Sequence, residues 1–342
     1  MTVLITGGSG FVGINIIEKL LDENISVVNY ATLPVPEEAI DSLEGRNACY
    51  HYIKGDVLDT ELIDSTIEKY NITTIIHAAV ITPDIEREKK FSKTVTNVNY
   101  MGTIEVLEAA RRHNIEKFIY LSSVSVYGDT AFKDNILEES KSIPLPRTLY
   151  EISKYSAERT VLRYKELFGL NVVVARLGQV FGPWEHYTGI RYTQSGPFQA
   201  TRHAFLNQKV FLSRPGLRDW VYSRDVAISI LHLLLNSELK YSVYNVGSGK
   251  SWSVEQWCEL LKEEFPDFKY EISKQLEQSN IDYFVPQDAS KLSIERLQTD
   301  LGYNPKYGMV EAFHNYMEWI KNTSLFWTNS NKNIRTKENQ LS

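Results

Sequence analysis

Thr6-Gly7-Gly8-Ser9-Gly10-Phe11-Val12-Gly13 joins a predicted strand, Val3–Thr6, to a predicted helix. In such a turn Gly7 permits the tight bend, Gly10 lets the backbone approach a pyrophosphate, and Gly13 allows the helix to pack closely on the strand. The N–H groups at the helix N-terminus then face the phosphates. Glycine-rich turns are common, but one placed between a strand and a helix indicates a dinucleotide site rather than a purely structural turn.

The first half of the chain alternates short apolar runs with longer segments of helical periodicity. The short runs predict buried strands at Val3–Thr6, Ser26–Tyr30, Tyr50–Lys54, Thr74–Ala78, Phe118–Ser122 and Val172–Arg176. The longer segments predict helices at Phe11–Leu21, Leu58–Tyr70, Val95–His113 and Tyr150–Phe168. This alternation predicts an α/β fold with a doubly wound parallel sheet (the Rossmann arrangement) and helices on both of its faces.

The second half of the chain has a looser pattern. Residues 178–197 are rich in Gly, Pro and aromatic residues and are expected to form a loop. Further helices are predicted at Phe198–Gln208, Ser223–Asn236, Val254–Phe265 and Lys306–Ile320. We therefore expect a dinucleotide-binding domain over residues 1–178, to which later strands return. A smaller substrate-capping lobe over residues 179–322 and a polar tail over residues 323–342 complete the expected organisation.

The bulk composition argues against several classes of function. A net charge of −6 gives no electrostatic reason to expect nucleic acid or an anionic membrane surface as a partner. Cys49 and Cys258 lie far apart, and the seven histidines show no metal-ligand spacing, so neither a disulfide framework nor a metal site is predicted. The absence of a basic leader and of a long apolar run predicts a cytoplasmic protein without a membrane span.

Tyr150-Glu151-Ile152-Ser153-Lys154 places a phenol and an ammonium four residues apart, on one face of a predicted helix. A neighbouring ammonium favours the phenolate, so we expect Lys154 to lower the pKa of Tyr150 from its ordinary value of about 10. Such a tyrosine can exchange a proton with a substrate hydroxyl while a nicotinamide exchanges a hydride. The same spacing is common on exposed helices, and the pattern alone leaves that alternative open.

A serine-rich segment, Ser122–Gly128, follows directly on a predicted strand. The carboxyl ends of sheet strands face the ligand crevice, so Ser123 is placed to hydrogen-bond the reacting oxygen. Serines that only cap or turn the chain are the alternative.

The end of the second predicted strand gives no indication of the cofactor's phosphorylation state. The window about 20 residues beyond the glycines, Val28–Thr32, has no Asp or Glu that would bind the adenosine ribose. No Arg or Lys follows until Arg46, so a 2′-phosphate site is not indicated either. NAD and NADP both stay open.

Nine motifs are spread over about residues 2 to 320. They are TGGSGFVG (6–13), GDVLD (55–59), IIHAA (75–79), NVNYMGT (97–103), SSVSVYG (122–128), YEISK (150–154), RLGQVFGP (176–183), RDWVYSRDVA (218–227) and YNVGSG (244–249). Together they resemble the extended short-chain dehydrogenases/reductases of the NAD-dependent epimerase/dehydratase type, in particular the UDP-glucose 4-epimerase-like members.

The resemblance implies a role for each matching residue. Tyr150 would be the catalytic acid/base, Lys154 its pKa-lowering and ribose-binding partner, and Ser123 the residue that orients the substrate. Arg218 lies where relatives that use nucleotide sugars hold the diphosphate; a structural ion pair with Asp219 is the alternative.

The resemblance also implies a cofactor site and an assembly. The further cofactor-binding positions would be Gly7, Gly10, Phe11, Val12, Gly13, Asp56, Val57, His77, Ala78, Ala79, Asn99 and Ser122. Asp56 and Val57 match the positions that contact adenine, and Asn99 supports the same region. Helices Val95–His113 and Tyr150–Phe168 would pair with their symmetry mates in a homodimer.

The sequence departs from the family pattern around the site. Val124-Ser125 stands where 4,6-dehydratases have an Asp-Glu pair, which argues against dehydration. Gln179 replaces an asparagine at a substrate-contacting position, and Ala31 replaces the acidic ribose-binding residue. The loop Trp184–Tyr192 is unusual for a nucleotide-sugar enzyme. It is either ordinary packing or a pocket in which Arg191 holds a smaller, acidic substrate.

These patterns predict an NAD(P)-dependent oxidoreductase or epimerase that acts on a secondary hydroxyl of a sugar or nucleotide sugar, with Tyr150 as acid/base. A dehydrogenase or ketoreductase of a small sugar acid, or of another non-nucleotide substrate, is the first alternative. A non-catalytic dinucleotide-sensing protein is the second, and the presence of both Tyr150 and Lys154 argues against it.

Overall fold

The computed structural model describes residues 1–46, 48–187, 191, 194–273, 278–285 and 287–327. Its strands are β1 (Thr2–Thr6), β2 (Ser26–Ala31), β3 (Tyr50–Lys54), β4 (Thr74–His77), β5 (Lys117–Ser123), β6 (Ile136–Leu137), β7 (Val172–Leu177), β8 (Gln179–Phe181), β9 (Val210–Leu212), β10 (Leu217–Arg218), β11 (Trp220–Tyr222), β12 (Val243–Val246), β13 (Trp252–Ser253), β14 (Tyr270–Ile272) and β15 (Lys291–Leu292).

Its α-helices are α1 (Phe11–Asp22), α2 (Glu37–Glu44), α3 (Thr60–Tyr70), α4 (Ile85–Thr96), α5 (Gly102–Arg112), α6 (Leu149–Phe168), α7 (Gly196–Phe205), α8 (Ser223–Leu235), α9 (Val254–Glu264), α10 (Glu295–Leu301) and α11 (Met309–Asn322). A π-helical turn, Asn97–Met101, joins α4 to α5. Two short 3₁₀ helices, Val124–Tyr127 and Asp129–Phe132, follow β5.

A parallel sheet forms the centre of the fold and confirms the predicted fold class. In the described residues it has seven strands in the order β12-β7-β5-β4-β1-β2-β3. The chain leaves β1 toward β2 and β3 on one side and later crosses to β4, β5 and β7 on the other. Ligands bind at such a switch point, outside the carboxyl ends of the strands, because the connecting loops part there.

Helices cover both faces of the sheet. α1 and α8 pack together on one face, and α3, α5 and α6 cover the other. The apolar core on the α1 side continues without a break into the second lobe. All six tryptophans belong to this continuous core: Trp184, Trp220, Trp252, Trp257, Trp319 and Trp327.

Several predicted elements differ in detail. The predicted helix Val95–His113 is interrupted, because its first part belongs to the π turn and to α4, which is itself kinked at Phe91 with φ −129°. The predicted helix from Leu58 begins at Thr60, because the Asp59 side chain caps it by accepting from the Leu62 N–H at 3.1 Å. The predicted loop over residues 178–197 contains β8 and the start of α7.

The chain stays packed past residue 322, where a polar tail was predicted. Phe326 and Trp327 are buried, and the Phe326 ring centroid lies 5.1 Å from that of Trp184. The chain stays packed here because burying these two aromatic side chains against the surrounding lobe removes their apolar surface from water. Residues 328–342 of the predicted tail lie outside the described residues.

Within the described ranges, every helix is too short or too polar to cross a bilayer. The same residues bring together no group of His, Cys, Asp and Glu side chains suited to a metal ion.

Candidate functional site

A cleft of about 1810 Å³ extends from the glycine turn, across the carboxyl ends of the strands, into the second lobe. Its lining brings together most of the site residues predicted from the sequence. These are Gly7, Gly10, Phe11, Val12, Gly13, Asp56, Val57, Ala78, Ala79, Ser122, Ser123, Tyr150, Lys154, Gln179, Arg191 and Arg218.

The glycine turn has the geometry of a phosphate cradle. Gly7 adopts φ +69°, and a Cβ there would approach the Ala79 Cα to 2.6 Å. A Cβ on Gly13 would lie 2.5 Å from the Gly8 carbonyl oxygen. Gly10 begins α1 without a side-chain cap, and the first turn of α1 carries no acidic residue. The N–H groups in the first turn of α1 therefore have no side-chain acceptor among the described residues, and a pyrophosphate in the cleft fits them.

Two predicted cofactor-binding residues lie beneath the cleft instead of lining it. The His77 side chain is fully buried, with Nδ1 2.7 Å from Thr6 Oγ1 and Nε2 3.0 Å from Thr103 Oγ1. Burial lowers the pKa of His77 to about 3, so the ring is neutral. Asn99 is buried too, and its amide bonds both the N–H and the carbonyl of Ile81 at 2.8 and 2.9 Å. Both side chains therefore support the cleft wall from behind.

The end of the cleft next to β2 is acidic. Its lining residues over 30–36 and 38 include Glu38 and no Lys or Arg. Arg46, the first basic residue after β2, is engaged by Asp22 and Glu18 of α1. Asp56 borders the same end of the cleft, where the family resemblance implies that adenine binds. Its Oδ1 accepts from the Leu58 N–H at 3.0 Å.

The helix that carries Tyr150 and Lys154 has a strongly specified N-terminus. Thr148 caps α6: its Oγ1 accepts from the Glu151 N–H at 3.2 Å, and Glu151 Oε2 accepts from the Thr148 N–H at 3.1 Å. This reciprocal pair is a capping box. It sets the first turn of α6 at the cleft, so that Tyr150 and Lys154 both border it.

The pKa of Tyr150 moves in the opposite direction to the prediction. Burial raises it above 10, and this outweighs the opposing effects of the Ser123 hydroxyl, the positive charge of Arg191 and the Thr82 hydroxyl. Lys154 is buried. Its Nζ donates to the Leu121 carbonyl and lies 4.2 Å from the centroid of the Tyr120 ring. The expected lowering by Lys154 is therefore wrong for the protein alone, because desolvation of the phenolate dominates.

Ser123 stands at the end of β5 beside the phenol. Its Oγ accepts from the Ser125 Oγ at 2.8 Å and from the Ser125 N–H at 3.2 Å. Ser122, one residue earlier, also borders the cleft, but its hydroxyl donates to Glu158 Oε2 at 2.8 Å. The two adjacent serines thus have different surroundings, and Ser123 is the one next to Tyr150.

Arg218 does not pair with Asp219, which corrects the alternative drawn from the sequence. Asp219 accepts instead from the N–H groups of Ser248, Gly249 and Leu292 at 2.7, 3.0 and 3.0 Å. Arg218 is 4% exposed and donates from Nη2 to the Tyr283 carbonyl at 2.8 Å. Its Nε is buried without a partner. Burial lowers the pKa of Arg218 to about 10.

Arg191 has a carboxylate partner. Its Nη2 lies 3.1 Å from Oε1 of Glu185, which is fully buried, and its guanidinium carbon lies 4.9 Å from the centroid of the Phe11 ring. Arg191 therefore lies beside the glycine turn and is held by Glu185. This arrangement favours Arg218 over Arg191 as the cation for an anionic substrate.

Among the residues of the cleft lining that were not predicted as site residues are Thr82, Ser125 and Arg214. The hydroxyls of Thr82 and Ser125 both act to lower the pKa of Tyr150. Arg214 stacks 4.5 Å above the Tyr283 ring and donates to Asp288 at 2.8 Å, close to Arg218. Ser125 follows Ser123 within a motif that was recognised, which is a usable signal. Nothing local to Thr82 or Arg214 indicates a site.

Comparison with known proteins identifies relatives along the whole chain. It is 28% identical over 344 residues to the dTDP-D-glucose 4,6-dehydratase of Mus musculus, covering 96% of this chain and 91% of the relative. It is 27% identical over 329 residues to a Methanocaldococcus jannaschii protein with the provisional name UDP-glucose 4-epimerase, covering 94% and 99%.

Solved structures share the fold. The UDP-glucose 4-epimerase of Thermotoga maritima, determined with UDP-glucose, aligns with a TM-score of 0.78 at 24% identity, over 94% of this chain and 99% of that chain. Residues 3–247 also match the family described as the NAD dependent epimerase/dehydratase family. The chain therefore belongs to the NAD-dependent epimerase/dehydratase family and is an enzyme of the extended short-chain dehydrogenase/reductase type.

Proposed function

We propose that the protein is a nucleotide-sugar epimerase. In this proposal it oxidises a secondary hydroxyl of a nucleoside diphosphate sugar with bound NAD and returns the hydride to the other face of the ketone. Retention of the hydride within one catalytic cycle distinguishes this reaction from that of a dehydrogenase. The relatives named as a UDP-glucose 4-epimerase and a dTDP-D-glucose 4,6-dehydratase both support a nucleotide-sugar substrate.

Arg218 is the observation that carries this proposal. It is a buried guanidinium with an unpartnered Nε, on the same cleft as the glycine turn and Tyr150. No carboxylate among the described residues forms an ion pair with it, and the charges of Asp288 and Asp282 offset only part of the effect of burial on its pKa. A buried cation is costly unless an anion compensates it. A diphosphate supplies that anion with oxygens spaced for the guanidinium fork.

Tyr150 and Ser123 would hold the reacting hydroxyl. NAD, when bound, accepts the hydride from the sugar carbon and gives it back. As that hydride leaves, Tyr150 removes the hydroxyl proton, so a C–H and an O–H bond are replaced by a carbonyl. Ser123 donates its hydroxyl to the carbonyl oxygen. On the return step Tyr150 gives its proton back to the same oxygen, and hydride delivery to the opposite face inverts the carbon.

The residues after Ser123 argue against dehydration. Val124 packs against the apolar cluster around Val126 and Leu137, and the Ser125 hydroxyl donates to Ser123. Elimination of water needs an acid for the leaving hydroxyl and a base for the adjacent carbon. Neither a valine nor a serine supplies a carboxyl group for those steps.

The acidic lining next to β2 favours NAD over NADP. A 2′-phosphate there would meet the Glu38 carboxylate, and the described lining residues next to β2, over 30–36 and 38, include no Lys or Arg. Because like charges disfavour binding, we expect the unphosphorylated dinucleotide to bind more tightly. Calorimetry with NAD and NADP, each added separately, measures that preference.

A product analysis by NMR tests the reaction. The protein with NAD is incubated separately with UDP-glucose, dTDP-glucose and UDP-glucuronic acid. We expect one of them to convert to a mixture of two isomers without net formation of reduced cofactor. Loss of water would indicate a dehydratase, and stoichiometric reduced cofactor would indicate a dehydrogenase. Turnover of small sugar acids alone would favour the alternative without a nucleotide.

A further inference from the structure

A buried ion pair lies beneath the cleft, and the mechanism above makes no use of it. Glu158 is 0% exposed and Arg176 is 4% exposed. Arg176 donates to both carboxylate oxygens, from Nε to Oε2 at 3.0 Å and from Nη2 to Oε1 at 2.5 Å. Ser122 Oγ donates to the same carboxylate at 2.8 Å. Apolar residues of equal volume are often as stabilising as such a pair, so stability alone does not account for it.

The carboxylate connects the two elements that form the catalytic side of the cleft. Glu158 lies one helical turn after Lys154 on α6. Ser122 directly precedes Ser123 at the end of β5 and is the register partner of Arg176 on β7. Glu158 is therefore bonded to the strand that carries Ser123 and belongs to the helix that carries Lys154.

The Arg176 side of the pair packs against Tyr127, which is connected to residues from the second half of the chain. Its guanidinium carbon lies 4.8 Å from the Tyr127 ring centroid. Tyr127 donates from its hydroxyl to Asn245 Oδ1 on β12 at 2.9 Å. Asn245 Nδ2 in turn donates to the carbonyls of Leu137 and Ser293 at 3.0 and 3.2 Å. Arg176 therefore has little freedom to release the carboxylate.

The negative charge of Glu158 acts on Lys154. Burial lowers the pKa of Lys154 to about 7, and the Glu158 carboxylate opposes that shift. The other titratable groups facing this region are Tyr120, Tyr150 and His77. All three are neutral near pH 7, because burial raises the pKa of both tyrosines and lowers that of His77.

We propose that Glu158 is a positioning residue, which keeps Lys154 in its ammonium form and holds the end of β5 against α6. Arg176 keeps the carboxylate in place for both tasks. This inference rests on the NAD-dependent function proposed above and on the role that the family resemblance implies for Lys154, an ammonium that binds the cofactor ribose beside Tyr150.

The pH dependence of NAD affinity in Glu158→Gln tests it. Glutamine keeps the shape and removes the charge, so Lys154 should lose its proton at a lower pH. We expect the affinity of the variant to begin weakening at a lower pH than that of the wild type. At about pH 7 we expect NAD to bind the variant roughly tenfold more weakly, because one charge-assisted hydrogen bond is lost. At about pH 5.5 we expect near wild-type affinity.

Two further variants separate this role from a structural one. Glu166→Gln removes an exposed carboxylate on the same helix, paired with Arg163 at 2.6 Å, and should leave the NAD titration unchanged. Glu158→Gln combined with Arg176→Met removes both charges, so no unpaired one stays buried if the single variant fails to fold. The double variant should fold and keep the shifted pH dependence. A wild-type pH dependence in the double variant overturns the proposal.

Lys154→Met distinguishes failure of this inference from failure of its basis. If Lys154→Met weakens NAD binding and Glu158→Gln has wild-type pH dependence, the inference is overturned and the role of Lys154 stands. If Lys154→Met binds NAD as tightly as wild type at every pH, the role of Lys154 is wrong, and the inference falls with it.

Discussion

Tyr150 lies in surroundings that the spacing to Lys154 alone does not predict. Burial raises its pKa, while the nearby hydroxyls of Ser123 and Thr82 act against that shift. The phenol is therefore the predominant form in the protein alone at neutral pH. The proton-accepting form requires further stabilisation in the complex.

Tyr150→Phe tests the acid/base role directly. The ring still packs, and only the exchangeable proton is lost, so we expect turnover to fall by about 10²–10⁴-fold while NAD affinity stays near wild type. Initial rates with the nucleotide sugar found by NMR, together with NAD calorimetry, check both parts. A variant that retains near wild-type turnover contradicts the assignment.

Arg218 and Arg191 are the candidate anion-binding residues for two different classes of substrate. If the substrate carries a diphosphate, Arg218→Ala should raise KM by roughly tenfold to a hundredfold, the loss of a buried charge-assisted contact. The effect on kcat should be smaller if the contact is equally good in the ground and transition states. Steady-state kinetics of Arg218→Ala and Arg191→Ala are compared on the same substrate. An unchanged KM for Arg218→Ala would remove the main reason to expect a nucleotide sugar.

At the scale of elements, local signals in the sequence account for much of the sheet. The hydrophobic pattern of the sequence places β1, α1 and β2 to within one residue at each end. The two strands are recognised because strands buried on both faces are continuous apolar runs. The capping box of Thr148 and Glu151 likewise marks the start of α6. Local sequence is sufficient where an element's own pattern determines it.

Other elements depend on contacts that sequence periodicity does not carry. β10 and β13 are two residues long, too short for any alternation, and they form only because they pair with each other. Arg214 borders the site because it stacks on Tyr283, whose position depends on the fold of the lobe. Glu158 and Arg176 are 18 residues apart and meet only when α6 packs on β7.

Lys117 shows how one strand stabilises a helix that follows much later in the chain. At the start of β5 its Nζ donates to the carbonyls of Leu233 and Leu234 at 2.9 and 3.0 Å, and also to that of Asn236. These carbonyls at the end of α8 have no partner within the helix. The lysine therefore caps α8 from the sheet.

Lys117→Met should lower the free energy of unfolding by about 1–3 kcal/mol, because buried carbonyls lose their donor. Urea unfolding followed by circular dichroism measures the change. Lys165→Met is a matched control, since its Nζ is exposed and donates to Ser242 Oγ at 2.8 Å. An equal midpoint for the Lys117 and Lys165 variants would argue against the capping role.

At the scale of the whole molecule, the homodimer expected from the resemblance stays a prediction. α6 carries exposed apolar side chains, Ile152, Leu167 and Phe168, on the face of the sheet that α5 also covers. We expect sedimentation at micromolar concentration to give the mass of two chains. Ile152→Glu combined with Leu167→Glu should give a monomer, because buried carboxylates disfavour the contact. A monomeric wild type would contradict the assembly.

The position of the tryptophans gives the molecule a built-in spectroscopic label. All six indoles lie beyond residue 183, in the lobe and the core that joins it to α1 and α8. Intrinsic tryptophan fluorescence therefore reports on the substrate-facing half of the molecule, whereas far-ultraviolet ellipticity averages over every helix and strand. Because one apolar core joins the two halves, both signals should change together during denaturation. A change in tryptophan emission on adding a nucleotide sugar would then report a change in the surroundings of the lobe, without an extrinsic dye.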